Sequence, residues 1–388
     1  MVALVAVRQW ARLVILQGTT PHQRRFGLDV LRAAAAILVV IAHGMMYAGA
    51  TFPTIVTPAA LLATLGVEVF FVLSGFLIAP GLFAVCEGRM KASSFWLRRA
   101  WRTLPVFYIF LAANVLLALW LANDRTPSLK FAFFSQSLLS PAATAFFPES
   151  WSLAVEEWFY LVATLAAALS LRLGGYHGRL FYWWLLALVL LSPIARAAWA
   201  VAHGYSWDAG LRKLTLLRLD AIAIGVLVAA NTRNVMSKKY AHYSALLGAA
   251  MIVFACAQLA TIVSSGEYLQ SPSSLLDAFR GALTLSLLGV GAALLLPAAS
   301  AWPQPKPAIG PVSHAVSRVA HWSYAIYLCH FPLLLVFDRL VPGMRSENPA
   351  IAICSLMLWA TATIVVAAIF YAQIERRILA YRDRLLLS

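Results

Sequence analysis

A chain of 388 residues that is 62% hydrophobic and only 12% charged is too apolar for a water-soluble globule. Its net charge of +15 would suit nucleic acid in a soluble protein, but topology and lipid headgroups account for that charge here, and no nucleic-acid motif is present. Cys86, Cys256, Cys329 and Cys354 are scattered without CxxC or CxxH spacing, so neither a disulfide framework nor a metal centre is expected.

Ten stretches approach or exceed the roughly 20 apolar residues that cross a bilayer as helix. In chain order they are 28–50, 57–85, 103–122, 151–171, 180–202, 214–231, 241–264, 276–299, 322–341 and 349–372. The fold class is therefore all-α, a polytopic membrane protein of about ten transmembrane helices. Residues 1–27 read as a cytoplasmic or interfacial segment, 28–372 as one membrane domain and 373–388 as a cytoplasmic tail. The first eighteen residues carry Arg8 and Arg12 within an apolar run, which suits an amphipathic helix lying at the interface. The Pro-rich stretch after Ala301 reads as an extended connector.

Lys and Arg are retained on the cytoplasmic side, which sets the orientation. With both termini inside, twenty of the thirty Lys and Arg fall in inner segments and eight in outer ones, with Arg32 and Arg196 inside spans. Arg212, Lys213 and Arg218 run against this asymmetry.

Polar residues inside the spans gather in short patches. Arg32 and His43 lie eleven positions apart in the first span. At 100° per residue they return to within about 20° of one helical direction, roughly 16 Å apart along the axis. They are thus placed to mark two depths of one buried site. Glu68 and Ser74 stand in GVEVFFVLSGFLIAPG of the second span, and Glu68 needs a partner or water there. Arg99 and Arg102 precede the third span, three apart on one face, and suit a phosphate-bearing ligand as well as they suit headgroup anchoring.

The fourth span opens on SWSLAVEEWFYL, where Glu156 and Glu157 follow Trp151. Adjacent residues diverge by 100°, so the two acids face different surroundings. Counted from the outer ends of their spans, Glu156 and His43 lie at similar depths, about 8 and 10 Å from the outer surface, so the two could meet. A carboxylate on one imidazole nitrogen would leave the other free to take a proton from a hydroxyl. Arg218 and Asp220 follow in the sixth span, and Tyr324, Tyr327 and His330 form a stripe along the ninth, where packing competes with chemistry as the explanation.

Six segments in order resemble the membrane-bound acyltransferase family 3 of bacterial O-acyltransferases: Arg32-x10-His43, GVEVFFVLSGFLI, the Arg-x-x-Arg of RRAWRTLP, WSLAVEEWFYL, RLDAIAIG and SYAIYLCHFP. Each motif is weak alone, and the ordered set is specific. The resemblance implies transfer of an acyl group, commonly acetyl from acetyl-CoA and without a metal, to a hydroxyl of a glycan or related acceptor at the bacterial inner membrane. It makes His43 the expected base with Glu156 beside it, and makes Arg32, Arg99 and Arg102 the expected acyl-CoA ligands. Glu68, Ser74, Trp151, Arg218, Asp220, Tyr327 and His330 are expected to support them. Some relatives carry an added outer hydrolase-like domain, so a separate periplasmic transferase is a conceivable partner. The alternative class is a proton-coupled transporter or flippase, in which Glu68, Glu156 and His43 relay protons.

Overall fold

The computed structural model describes residues 25–121, 126–142, 146–173, 178–232, 238–266, 268–302 and 310–387. The expected interfacial helix before residue 25 and the Pro-rich connector at 303–309 lie outside the described residues. Eleven longer helices follow in order: α1 (Phe26–Ala48), α2 (Val56–Cys86), α3 (Ala92–Leu121), α4 (Ser150–Arg172), α5 (Arg179–His203), α6 (Leu219–Thr232), α7 (Lys238–Ser264), α8 (Leu275–Ala301), α9 (Pro311–Leu340), α10 (Pro349–Phe370) and α11 (Arg376–Leu387). No strand occurs among the described residues. The protein is an all-α, multi-pass membrane protein.

Helices α1 to α10 take up the ten expected stretches, and among the described residues nine helices are long and apolar enough to cross a bilayer. The exception is α6, whose 14 residues follow directly on a 3-10 turn, Thr215–Arg218. At 1.5 Å per residue α6 is about 21 Å long, short of a bilayer core of about 30 Å. Its residues are buried almost throughout, from Leu219 to Ala230. A helix enclosed by protein need not match the lipid thickness.

Two helices begin well before their apolar runs. Helix α3 starts at Ala92 rather than near 103, and α9 at Pro311 rather than near 322. Apolarity marks where lipid begins, not where the backbone ladder begins. Arg98, Arg99 and Arg102 are therefore carried on a helix rather than on the loop expected at its entry. After α10 a π-helical turn, Tyr371–Glu375, leads into α11, and Trp101 packs against Tyr381 at 5.6 Å between ring centroids.

Close packing of α2 on α6 rests on two glycines. A methyl group at Gly75 would overlap the Ile222 carbonyl, and one at Gly225 would overlap the Val72 carbonyl. Small residues let membrane helices approach backbone to backbone where no hydrophobic effect drives them together. Gly75 follows Ser74 directly, so this contact also fixes where the Ser74 hydroxyl stands.

Among the described residues between α3 and α4, four phenylalanines insert into the bundle. Phe131, Phe134, Phe146 and Phe147 are buried, and the Phe147 ring stacks on Phe107 of α3 at 5.6 Å. Phe134 and Phe147 hold left-handed backbone angles, φ 52° and 47°, which bulky residues keep only where surrounding packing enforces them. The start of α4 is thereby sunk into protein, with Glu149 and Ser150 buried.

The expected outcome of Gly225→Val is separation of α2 from α6 at a cost of about 1–3 kcal/mol or more. Thermal melting of the purified protein in detergent should show a lowered midpoint, whereas Gly204→Ala, next to open space at a helix end, should change it far less even with its left-handed φ of 63°.

Candidate active site

A cavity of about 830 Å³, its open mouth included, lies among α1, α2, α3, α4 and α9. Arg32, Ser74, Arg99, Arg102, Glu156 and Tyr327 line it, together with Phe71, Thr103, Ser152, Tyr160, Ser323 and Tyr324. Six residues singled out from sequence, on five helices, are thus brought to one space. Most of the apolar part of its wall comes from Val67, Phe70, Phe71, Leu73 and Leu77, the large residues of the second expected span, with Leu153 added from α4.

Glu156 is the acid at the centre of a short hydrogen-bonded chain. The Tyr160 hydroxyl donates to Glu156 Oε2 at 3.0 Å and lies 2.6 Å from Ser74 Oγ. A phenol carries one proton, and that proton is committed to the carboxylate, so Ser74 donates to Tyr160. The Arg99 guanidinium stands over the Tyr160 ring, 5.8 Å from its centroid. Glu157 points elsewhere, as the 100° step requires, and accepts from Thr103 Oγ1 at 2.6 Å. Tyr324 in turn donates to the Thr103 carbonyl at 3.0 Å.

His43 does not meet Glu156. Its Nδ1 lies 3.0 Å from the Val39 carbonyl and 3.1 Å from His330 Nε2. The depth count failed because α4 does not start at the membrane surface. Ser152 is 2.6 Å from the Tyr327 hydroxyl, and Tyr327 also donates to the Glu149 carbonyl at 3.0 Å. The first turn of α4 is therefore already level with Tyr327, and Glu156 lies one turn further along, near Tyr324. His330 lies one turn beyond Tyr327 in the opposite direction, with 5.7 Å between ring centroids. The cavity reaches Tyr327 and stops short of the imidazole pair.

The tautomers of that pair follow from its carbonyls. His330 Nδ1 lies 3.2 Å from the Ile326 carbonyl, which can only accept, so Nδ1 carries the proton and Nε2 accepts. His43 Nδ1 faces two acceptors, the Val39 carbonyl and His330 Nε2, so it too carries the proton. His43 Nε2 is left with its lone pair. His330 is fully buried and its backbone carbonyl accepts from Trp359 Nε1 at 3.0 Å, while His43 is half-buried.

Glu68, Arg218, Asp220 and Trp151 stand behind the cavity wall. Glu68 of α2 pairs with Arg218 at the start of α6, and Asp220 accepts from Arg196 of α5 at 3.0 Å on both carboxylate oxygens. Arg196 also donates to Ser286 Oγ at 2.8 Å and to the Ala282 carbonyl at 3.1 Å on α8. All four charged residues are at most 1% exposed. The Arg218 guanidinium lies 5.8 Å from the Phe71 ring, and Phe71 packs edge-on against Trp151 at 5.9 Å. Phe71 itself lines the cavity, so the ion pair reaches the site through one aromatic ring.

The three cations that ran against the charge asymmetry have structural partners. Arg218 belongs to Glu68. Arg212 Nε donates to Asp208 at 2.7 Å, Lys213 joins the same carboxylate and Tyr268 donates to it at 3.0 Å. Burial alone would raise the Asp208 pKa, but Arg212 and Lys213 outweigh it and hold the carboxyl below its ordinary range. The Arg212 guanidinium lies over Trp151 at 5.0 Å.

Sequence reasoning did not single out Arg196, Tyr160 or Thr103 as site residues. Arg196 had a readable signal, since a lone cation inside an apolar span demands a partner. Tyr160 stands four residues after Glu156, on the same helical face. Thr103 carried no signal beyond its place one residue after Arg102.

Arg32, Arg99, Arg102 and Glu156 share one space, while Glu68, Arg218, Asp220 and Arg196 form ion pairs behind its wall. Comparison with known proteins supplies the chemistry. Residues 25–372 match the acyltransferase 3 family, described as an acyltransferase domain, and the chain belongs to that family. It is 29% identical over 172 residues to the peptidoglycan O-acetyltransferase OatA of Listeria monocytogenes, covering 38% of this chain and 25% of that protein. It is 25% identical over 401 aligned positions to YrhL of Bacillus subtilis, which carries the provisional name peptidoglycan O-acetyltransferase, covering 92% of this chain and 56% of that one. The chain thus spans about half or less of the length of these relatives. No solved structure matches it.

Glu68→Gln should leave Arg218 buried with half its charge balance gone, at about 3–5 kcal/mol. Thermal melting in detergent should show a large loss of stability for the single variant and partial recovery when Arg218→Met is added, which removes the stranded charge as well.

Proposed function

We propose that this protein transfers an acyl group, acetyl from acetyl-CoA, to a hydroxyl of an envelope glycan at the bacterial inner membrane. The observation that carries the reading is the cavity that gathers Arg32, Arg99 and Arg102 with the hydrogen-bonded Ser74, Tyr160 and Glu156, while His43, the expected base, is held by His330 one turn beyond Tyr327. An alcohol is a poor nucleophile near neutral pH, and a positioned base contributes about 10²–10⁴-fold. Here His330 replaces a carboxylate as the group that orients the base.

Arg99, Arg102 and Arg32 offer the guanidinium forks that a phosphate-rich donor requires. The charge asymmetry of the sequence favours a cytoplasmic mouth beside them and cytoplasmic termini. The apolar walls of the cavity suit an extended thioester arm. The acceptor class is supported by the names of the relatives, of which OatA and YrhL are both named for peptidoglycan. Membership of an acyltransferase family favours transfer over the transporter reading of the same polar residues.

His43→Ala should abolish glycan acylation in cells while the protein still inserts in the membrane. His330→Phe should keep the packing volume, lose the orienting nitrogen and lower the rate by about 10²-fold or more. Mass spectrometry of surface glycans from cells with and without each variant reads both outcomes and identifies the acyl group. Full acylation by His43→Ala would remove the imidazole from the mechanism.

A further inference from the structure

We propose that Ser74 is an acyl acceptor in its own right, carrying the acyl group as an ester between an acyl thioester donor and the hydroxyl acceptor. The proposal rests on the acyltransferase reading above and adds a covalent intermediate to it. What points to it is the directed chain Ser74, Tyr160, Glu156, which opens on the cavity at every member. A serine that only fixed helix packing would back-bond to its own helix or remain apolar in its surroundings. Ser74 instead donates across helices into a phenol whose proton is already aimed at a carboxylate, which is the arrangement of an activated nucleophile.

The atoms balance as follows. Ser74 Oγ attacks the thioester carbonyl carbon, its proton passes to the Tyr160 oxygen and the Tyr160 proton passes to Glu156. The new C–O bond forms, the C–S bond breaks, and the leaving sulfur takes up the proton that Glu156 received, giving acyl-serine and free thiol. In the second half an acceptor hydroxyl attacks the ester carbonyl carbon, forms the new C–O bond and gives up its proton to the Glu156 carboxylate, which lines the same cavity. The bond between the acyl carbon and Ser74 Oγ breaks, and the serine oxygen regains its proton from Tyr160, which recovers one from Glu156. No oxidant, reductant or metal enters either step. Arg99, above the Tyr160 ring, places positive charge beside the group through which the first proton moves.

A covalent stop also answers a problem of space. The thioester arm and a sugar would compete for one cavity. With the acyl group held on Ser74, the spent thiol can leave before the acceptor hydroxyl arrives. Gly75 and its contact with Ile222 hold Ser74 against the protein on its α6 side, so the hydroxyl keeps its position through both halves.

The experiment uses the purified full chain in detergent with radiolabelled acetyl-CoA and no acceptor. The expected result is a burst of free CoA of one equivalent per protein, with the acetyl group located on Ser74 by peptide mass spectrometry. Ser74→Ala should lower the burst by about 100-fold or more and lose the adduct. Ser74→Cys, which keeps a nucleophile and nearly the same volume, should retain an adduct that neutral hydroxylamine removes as a thioester. Tyr160→Phe should slow the burst by about 10²-fold while leaving the adduct on the same serine. A wild-type burst in Ser74→Ala, a label on Tyr160 or elsewhere, or acceptor-dependent CoA release with no burst would each overturn the acyl-serine. The transferase reading is tested separately, by O-acetyl gain on the envelope glycans of cells expressing the wild type. Its absence there would remove both claims, whereas its presence without a serine adduct removes only this one.

Discussion

The ion pair between Glu68 and Arg218 is the constraint around which the bundle is arranged. An uncompensated charge in hydrocarbon is costly, so each of these groups forces the other to a fixed depth. The pair joins α2 to the turn before α6, and Asp220, two residues on, extends the tie through Arg196 to α5 and through Ser286 to α8. Four helices are registered by two acids and two guanidiniums. Close approach of α2 to α6 at Gly75 and Gly225 is then compatible with only one rotation of α2, the one that turns Ser74 into the cavity.

From that framework the polar groups fall into levels along α9. Tyr324 stands beside Thr103 and the arginines of α3, Tyr327 beside Ser152 at the sunken start of α4, and His330 beside His43. On the proposed reading, donor, relay and base occupy successive turns of one helix. The stripe at spacing three that packing alone would explain is here the ruler of the site. The phenylalanines that enter from the segment before α4 matter for the same reason, since they set how deep Glu156 lies.

The fold was legible because apolar length is a direct physical requirement of the bilayer, and the motif order then named the family. Six of the twelve site residues expected from sequence line one cavity, and two more form the imidazole pair. The pairing of His43 with Glu156 was misjudged because depth was counted from the ends of apolar runs, whereas buried aromatics had drawn the start of α4 inward. The Glu68 partner was not readable either, since nothing in a single chain says that Arg218, 150 positions away, reaches the same depth. The short length of α6 was hidden by the apolar residues on all its sides, which protein and lipid reward alike. By contrast, the divergence of Glu156 from Glu157 follows from helix geometry alone, and it is what the structure has.

The central claim is that the space among α1, α2, α3, α4 and α9 receives an acyl thioester from the side of Arg99 and Arg102. Electron cryo-microscopy of the protein in lipid nanodiscs with a non-hydrolysable thioether analogue of acetyl-CoA tests it most directly. The account predicts phosphate density against those two arginines and the acyl carbon within about 3.5 Å of Ser74 Oγ. Density for the analogue between other helices, with the chain from Ser74 to Glu156 left untouched, would contradict it.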